Sequence, residues 1–282
     1  MNNLNLLDKS IHSKKNNPLG NDVSYASNYT AELLYPIERI KKRVELGIRG
    51  KLPFAGEDIW NAYEISWLNE NGLPQVAIGE FRFNADSENI IESKSLKLYL
   101  NSFNQSIFMD RVMVEKLIIS DLSKATNSNV KVKLSYLDDT NKLMAFDSKN
   151  IDDQNIQIES YHYQPEFLKV NYDDFIVEES LSSHLLKSNC LITNQPDWAS
   201  ILIEYKGQKI CESSLLKYIV SFRTHNEFHE QCVERIFMDI MKYCKPEKLI
   251  VYARYTRRGG LDINPWRSNH LSTMDNIRLS RQ

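Results

Sequence analysis

Apolar and polar residues alternate from Trp60 to Leu68 and again from Val76 to Phe83, and the two runs flank Asn69-Glu70-Asn71-Gly72. Period-two patterning turns one face of each run toward a core and predicts β-strands. The Asn-Gly pair supplies the positive φ values of a tight hairpin turn. A second pair of runs, Leu185 to Thr193 and Trp198 to Tyr205, surrounds Asn194-Gln195-Pro196-Asp197 and predicts a second hairpin. Beyond it the period changes. Phe228, Cys232, Val233, Ile236, Ile240 and Met241 fall on a stripe of 3.6 spacing, while Glu230, Glu234, Arg235 and Asp239 take other faces, which predicts a helix. Strand-like runs follow at Val130 to Leu137 and Leu249 to Thr256.

The two sets of elements repeat one another. Glu92-Ser93-Lys94-Ser95-Leu96-Lys97 returns as Glu212-Ser213-Ser214-Leu215-Leu216-Lys217, and Phe103 precedes Val114 by 11 residues, as Phe222 precedes Val233. A period of about 120 residues is too long for a solenoid unit and predicts duplicated domains. Each half reads strand, strand, helix, then strands. The order predicts an α+β fold: antiparallel sheets with helices packed on one face. The expected organisation is a polar tail over 1–30, a first module over 31–160 and a second over 161–282. The Asp- and Asn-rich stretch from about 138 to 160 serves as the connector.

Composition narrows the function. A chain of 282 residues, 42% hydrophobic and 26% charged, buries a substantial core without covalent staples. Its formal net charge of −2 gives no general attraction to nucleic acid, so a small polar ligand is expected. No apolar stretch reaches the roughly 18 residues of a membrane span, and the first residues lack the pattern of a secretory signal. The four cysteines, Cys190, Cys211, Cys232 and Cys244, show neither C-x-x-C nor zinc-finger spacing and are expected to be reduced thiols in the cytoplasm. Neither G-x-G-x-x-G nor G-x-x-x-x-G-K is present, so neither device holds a nucleotide.

Three places carry candidate chemistry. Cys190 lies near Asp197 at the second hairpin, a thiol beside a carboxyl group; burial as a small hydrophobe is the alternative. For both to face one pocket the loop between them must curl. His229-Glu230 stands near the start of the predicted helix, where a glutamate can accept paired hydrogen bonds from an N–H and amino edge such as that of guanine, or merely face solvent. His225, His229 and Cys232 raise the question of a metal, but the glutamate is misplaced relative to H-E-x-x-H and no metal is expected. Arg257-Arg258-Gly259-Gly260 offers cations and glycines that permit close approach of an anion, or a charged turn.

Together these segments resemble a known family. Glu92 to Asn104, Ser188 to Trp198, Phe228-His229-Glu230 and Tyr255 to Trp266 are similar to the signatures of the NADPH-dependent 7-cyano-7-deazaguanine reductases of the queuosine pathway, in their long, two-module form. The resemblance implies tandem tunnelling-fold (T-fold) modules joined into a barrel-like assembly. It also implies reduction of a nitrile to an aminomethyl group with two NADPH, through a covalent thioimide on Cys190. Asp197 would be the proton donor and His229 would lie beside the reacting group. Ile91, Glu92, Ser93, His229 and Glu230 would bind substrate, while Ser93, Lys94, Arg258 and Gly259 would contact NADPH. A homodimer that binds neither nucleic acid nor membrane is expected. A metal-dependent purine or pterin hydrolase of the same fold and a non-catalytic purine-binding module are the competing readings.

Overall fold

The computed structural model describes residues 26–138, 142–172 and 175–282. Most of the expected N-terminal tail, and Asp139 of the expected connector, lie outside the described residues. Two long hairpins dominate. In the first, β2 (Ala55–Leu68) pairs with β3 (Pro74–Asn84); in the second, β7 (Ile176–Asn189) pairs with β8 (Pro196–Gln208). Together with β5 (Val130–Ser135), β6 (Lys149–Asn150), β9 (Lys248–Tyr255) and β10 (Leu261–Ser268) they form one eight-stranded sheet in the order β5-β3-β2-β10-β9-β8-β7-β6. Its pairings are antiparallel except the short β6–β7 contact. The halves are continuous through β2 and β10, where Gly56 faces Arg267. Only glycine fits there: at φ +151 a Cβ would stand 2.0 Å from the Trp266 carbonyl oxygen. A separate two-stranded ribbon joins β1 (Pro36–Glu38) to β4 (Asn89–Ile91).

Helices cover one face of the large sheet. After a short α1 (Ile40–Glu45), the first half contributes α2 (Ser93–Asn101) and α3 (Arg111–Thr126), and the second α4 (Glu212–Ser221) and α5 (His229–Tyr243). Leu96, Tyr99, Phe103, Val114, Ile118 and Leu122 pack on Phe81 and Phe83; Leu215, Tyr218, Phe222, Ile236 and Ile240 pack on Ile201, Ile203 and Val251. The opposite face carries a smaller cluster around Ile59, Leu202, Tyr252 and Trp266. This is the expected α+β arrangement.

The duplication runs deeper than the hexapeptide; the offset from Phe103 and Phe222 onward is the one read in the sequence, and the hexapeptide alone shifts by one residue. Glu92 is the N-cap of α2, but the N-cap of α4 is Cys211; Glu212 is already helical. The structure therefore aligns Ser95 with Ser214, Tyr99 with Tyr218 and Phe103 with Phe222. Each tyrosine hydroxyl donates to an aspartate on the next helix, Tyr99 to Asp121 at 2.6 Å and Tyr218 to Asp239 at 2.6 Å. A second tyrosine joins each aspartate from a preceding strap, Tyr29 at 2.8 Å and Tyr163 at 2.8 Å. Both long hairpins also bulge at matching points, between Ala62 and Ile65 and between Ser183 and Leu186.

Two turn expectations need correction. In the first hairpin only Gly72, at φ +76, takes the left-handed region. The connection runs over five residues, closed by the Asn69 N–H on the Leu73 oxygen at 3.0 Å. In the second, β7 ends at Asn189, so Cys190 to Thr193 are loop and not strand.

Candidate active site

The loop between β7 and β8 does curl. The Cys190 N–H donates to the Gln195 oxygen at 2.8 Å and the Asn194 N–H to the Cys190 oxygen at 3.1 Å, with Asn194 at φ +56. This ring of hydrogen bonds brings Cys190 round toward Asp197, the second residue of β8. Both are buried. They line a narrow cleft with Trp60, Ile90, Ile91 and Ser93 from the first half, and Glu227, Phe228, His229, Glu230, Arg258 and Ile263 from the second.

His229 and Glu230 open α5, which has no side-chain N-cap because Phe228 occupies that position. The His229 ring lies flat on Tyr255, with centroids 3.7 Å apart and planes 3° from parallel. Its Nε2 is 3.3 Å from Asp197 Oδ2, but the two are not aligned as a hydrogen bond, and neither ring nitrogen has a hydrogen-bond partner among the described residues. Asp197 receives Arg258 Nη1 on its other oxygen at 2.7 Å. Arg258 reaches it from the turn between β9 and β10, where Gly259 and Gly260 take φ +62 and +78 and Arg258 exchanges backbone hydrogen bonds with Leu261.

Glu230 is 3% exposed, and among the described residues no other side chain gives its carboxylate a hydrogen bond or an ion pair. Burial pushes its pKa up to about 8, and the negative charge of Asp58 adds to the effect. Behind it lies a buried charge cluster. Asp58 pairs with Arg39 Nη2 at 2.5 Å and Arg267 Nη1 at 2.8 Å; Glu234 pairs with Arg43 Nη2 at 2.7 Å and Arg267 Nη2 at 2.8 Å. Burial alone would raise both carboxyls, but the arginines hold each below its ordinary value. Glu227, also buried, is brought down to about 2: burial works the other way, and Arg235 and His225 overcome it.

Seven expected site residues therefore meet in one cleft: Ile91, Ser93, Cys190, Asp197, His229, Glu230 and Arg258. Three stand beside it. Glu92 is buried as the N-cap of α2, its oxygens accepting from the Lys94 N–H at 2.9 Å and the Ser95 N–H at 2.7 Å. Burial raises its pKa despite those bonds. Lys94 follows in the first turn of α2, and the Gly259 oxygen accepts from Lys97 Nζ at 2.9 Å. Sequence reasoning missed Trp60, Ile90 and Glu227. Trp60 read only as the start of a strand, Ile90 carried no reading, and Glu227 was weighed only as the glutamate misplaced for a metal motif.

His225 turns away to Glu227 Oε2 at 3.0 Å, and among the described residues no group of three or more His, Cys, Asp or Glu side chains is arranged to hold a metal. A phosphorylated dinucleotide fits the donor set better. Arg258, more than a third exposed at the cleft, is the cation nearest the reacting groups, and the Gly259–Gly260 turn beside it is flanked by Lys97 and by the Glu64 carboxylate that Lys97 pairs with at 3.0 Å.

Residues 25–134 match the family described as nitrile reductase, 7-cyano-7-deazaguanine-reductase N-term, and residues 196–273 match the family described as QueF-like protein. Among solved structures, an archaeosine synthase QueF-Like in its apo form is similar over 36% of this chain and 99% of its own, at 16% sequence identity and a TM-score of 0.31.

Proposed function

This chain belongs to the 7-cyano-7-deazaguanine nitrile reductase family of the queuosine pathway, in its two-module form, and from that premise we propose that Cys190 attacks the nitrile in a cleft where Glu230 holds the deazaguanine. The observation that carries this reading is the Glu230 carboxyl itself: buried, without a side-chain partner among the described residues, and in the same cleft as the thiol. Its own backbone N–H gives this carboxyl one hydrogen bond, and the rest of its acceptor capacity is open to a ligand. The N–H and amino edge of a guanine-like ring supplies two donors to a carboxylate.

The chemistry assigned to the chain is addition across C≡N. The Cys190 thiol gives its proton to Asp197 as its sulfur bonds to the nitrile carbon, one π bond opens, and the nitrogen takes that proton, giving a covalent thioimide. Asp197 delivers that proton, and His229 lies beside the reacting group with both ring nitrogens unengaged. Arg258 on Asp197 Oδ1 leaves Oδ2, the oxygen nearer His229, as the one to carry the proton. Ile91, Glu92 and Ser93 are assigned to the substrate side of the pocket. Ser93, Lys94, Arg258 and Gly259 would hold NADPH, which when bound supplies a hydride in each of two successive reductions. The proposed modules are 31–160 and 161–282, functioning as a homodimer.

The test is NADPH oxidation by the purified protein with 7-cyano-7-deazaguanine, with Cys190→Ala as control. Two NADPH consumed per amine formed, with turnover and adduct lost in the variant, is the expected result. Cys211→Ala, Cys232→Ala and Cys244→Ala retain the adduct. A folded protein that binds the nitrile and oxidises no NADPH would overturn the reading.

A further inference from the structure

We propose that Asn226 is a positioning residue for the cysteine loop, fixing where the Cys190 sulfur stands relative to the ligand held by α5; this rests on the reading of Cys190 as nucleophile. Asn226 lies between the loop and the segment that leads into α5. Its Nδ2 donates to Asn194 Oδ1, and its Oδ1 accepts from Asn189 Nδ2 at 3.2 Å. Asn194 is the left-handed residue whose N–H closes the ring on the Cys190 carbonyl. One amide therefore joins the loop that carries the thiol to the chain that carries His229 and Glu230.

Two observations separate this tie from ordinary framework. The backbone pairing of the segments does not need the Asn226 side chain: the Asn189 N–H donates to the His225 oxygen at 2.8 Å, and the Glu227 N–H to the Asn189 oxygen at 3.1 Å. Asn189 also keeps a second side-chain partner, because Lys187 Nζ donates to its Oδ1 at 2.6 Å and to the Arg223 oxygen at 2.7 Å. Removing the Asn226 amide thus leaves the strand end anchored and releases the loop. Addition to a nitrile needs sulfur and carbon in near-attack geometry, and a displacement of about 1 Å can cost up to about 100-fold in rate. Binding of the heterocycle, which depends on Glu230, is left alone.

The experiment measures covalent adduct formation on Cys190 by intact mass over time, using 7-cyano-7-deazaguanine without NADPH. Equilibrium binding of the same compound is measured in a Cys190→Ala background. Asn226→Ala is expected to slow adduct formation by about 10- to 100-fold, with the dissociation constant and thermal midpoint unchanged. Asn194→Gly removes the other half of the contact while suiting the left-handed backbone. It should slow the adduct comparably, and the double variant should be no slower than either single one. Should Asn226→Ala not fold, Asn194→Gly decides alone. Wild-type rates in either variant, or affinity falling by the same factor as rate, overturn the inference. A wild type that forms no adduct overturns the Cys190 reading and this inference with it.

Discussion

Glu230 and Glu234 stand one turn apart in α5, both buried, and burial has opposite outcomes for them: Glu230 is pushed up to about 8, while Glu234 is held below the usual carboxylate range. The difference is company. Glu234 receives Arg43 and Arg267, each at 2.7–2.8 Å, whereas Glu230 faces the cleft with no side-chain partner among the described residues and Asp58 as a neighbouring negative charge. One glutamate is part of the framework, and the other is open for a ligand.

A carboxyl that titrates near 8 is mostly neutral at pH 6, but a ligand edge with two donors needs it ionised. Binding must therefore release a proton. In the Cys190→Ala background, affinity for 7-cyano-7-deazaguanine should rise with pH between about 6 and 8, by up to about tenfold per unit, and level off above. Calorimetry in buffers of different ionisation enthalpy should register the proton released. Glu230→Gln should bind weakly and without this slope. An affinity flat across the window in the wild-type site would remove Glu230 as the anchor.

Stability has the matching sign. The unfolded chain loses the Glu230 proton near 4.5 and the native chain keeps it until about 8, so this residue makes folding less favourable as pH rises through that interval. Glu234 acts oppositely, favouring the native state above the unfolded carboxyl pKa. Glu234→Ala leaves Arg43 buried without its carboxylate and Arg267 with Asp58 alone, and should destabilise by about 3–5 kcal/mol, measured by urea unfolding. A loss below about 1 kcal/mol would show that water or another group already neutralises the cluster.

Glu227 gives an acid-side prediction. Its pKa falls from 4.5 to about 2, with Arg235 Nη2 at 2.7 Å and His225 Nε2 at 3.0 Å outweighing burial. Its stabilisation is complete above pH 4.5 and is lost as pH falls toward 2, on the order of 3 kcal/mol in all. Arg235→Met should move the acid-unfolding midpoint upward, followed by circular dichroism from about pH 7 to 2. An unmoved midpoint would mean that the pair does not outlast partial unfolding.

Much of this was legible in the chain. Alternation marked both long hairpins, and the 3.6 stripe through Cys232, Ile236 and Ile240 marked α5, because each buries one face and period follows geometry. The repeat was legible, and so was its register from Phe103 and Phe222 onward, but not that of the hexapeptide. Glu92 and Glu212 match as letters, whereas capping puts Cys211 opposite Glu92, and a helix N-terminus accepts several residue types. The buried cluster was invisible for another reason: Arg43 and Glu234 are 191 residues apart and read singly as surface charges. Tyr29 and Tyr163 escaped because their straps are 134 residues apart, outside the 120-residue period of the helices. In the site, the motif segments drew attention to Cys190, Asp197 and Glu230. The curl of residues 190–195 was legible only as a requirement, because it is made by backbone hydrogen bonds that no residue type announces.

The last prediction concerns what holds His229 still. Neither of its ring nitrogens has a hydrogen-bond partner among the described residues, and the plane of the imidazole follows its 3.7 Å stack on Tyr255. Tyr255 is itself fixed from the backbone: its N–H donates to Asn264 Oδ1 at 3.1 Å and its carbonyl accepts from Gln282 Nε2 at 3.0 Å. Tyr255→Phe keeps the flat face and should retain turnover within about threefold. Tyr255→Leu removes the face and should lower kcat by about tenfold or more with little change in KM, the pattern of a group needed in the transition state rather than in binding. Leucine also leaves a cavity, so each variant is compared at matched folded fraction, verified by thermal unfolding. Equal kcat for the two variants would show that the stack does not orient His229, and that its position comes from α5 alone.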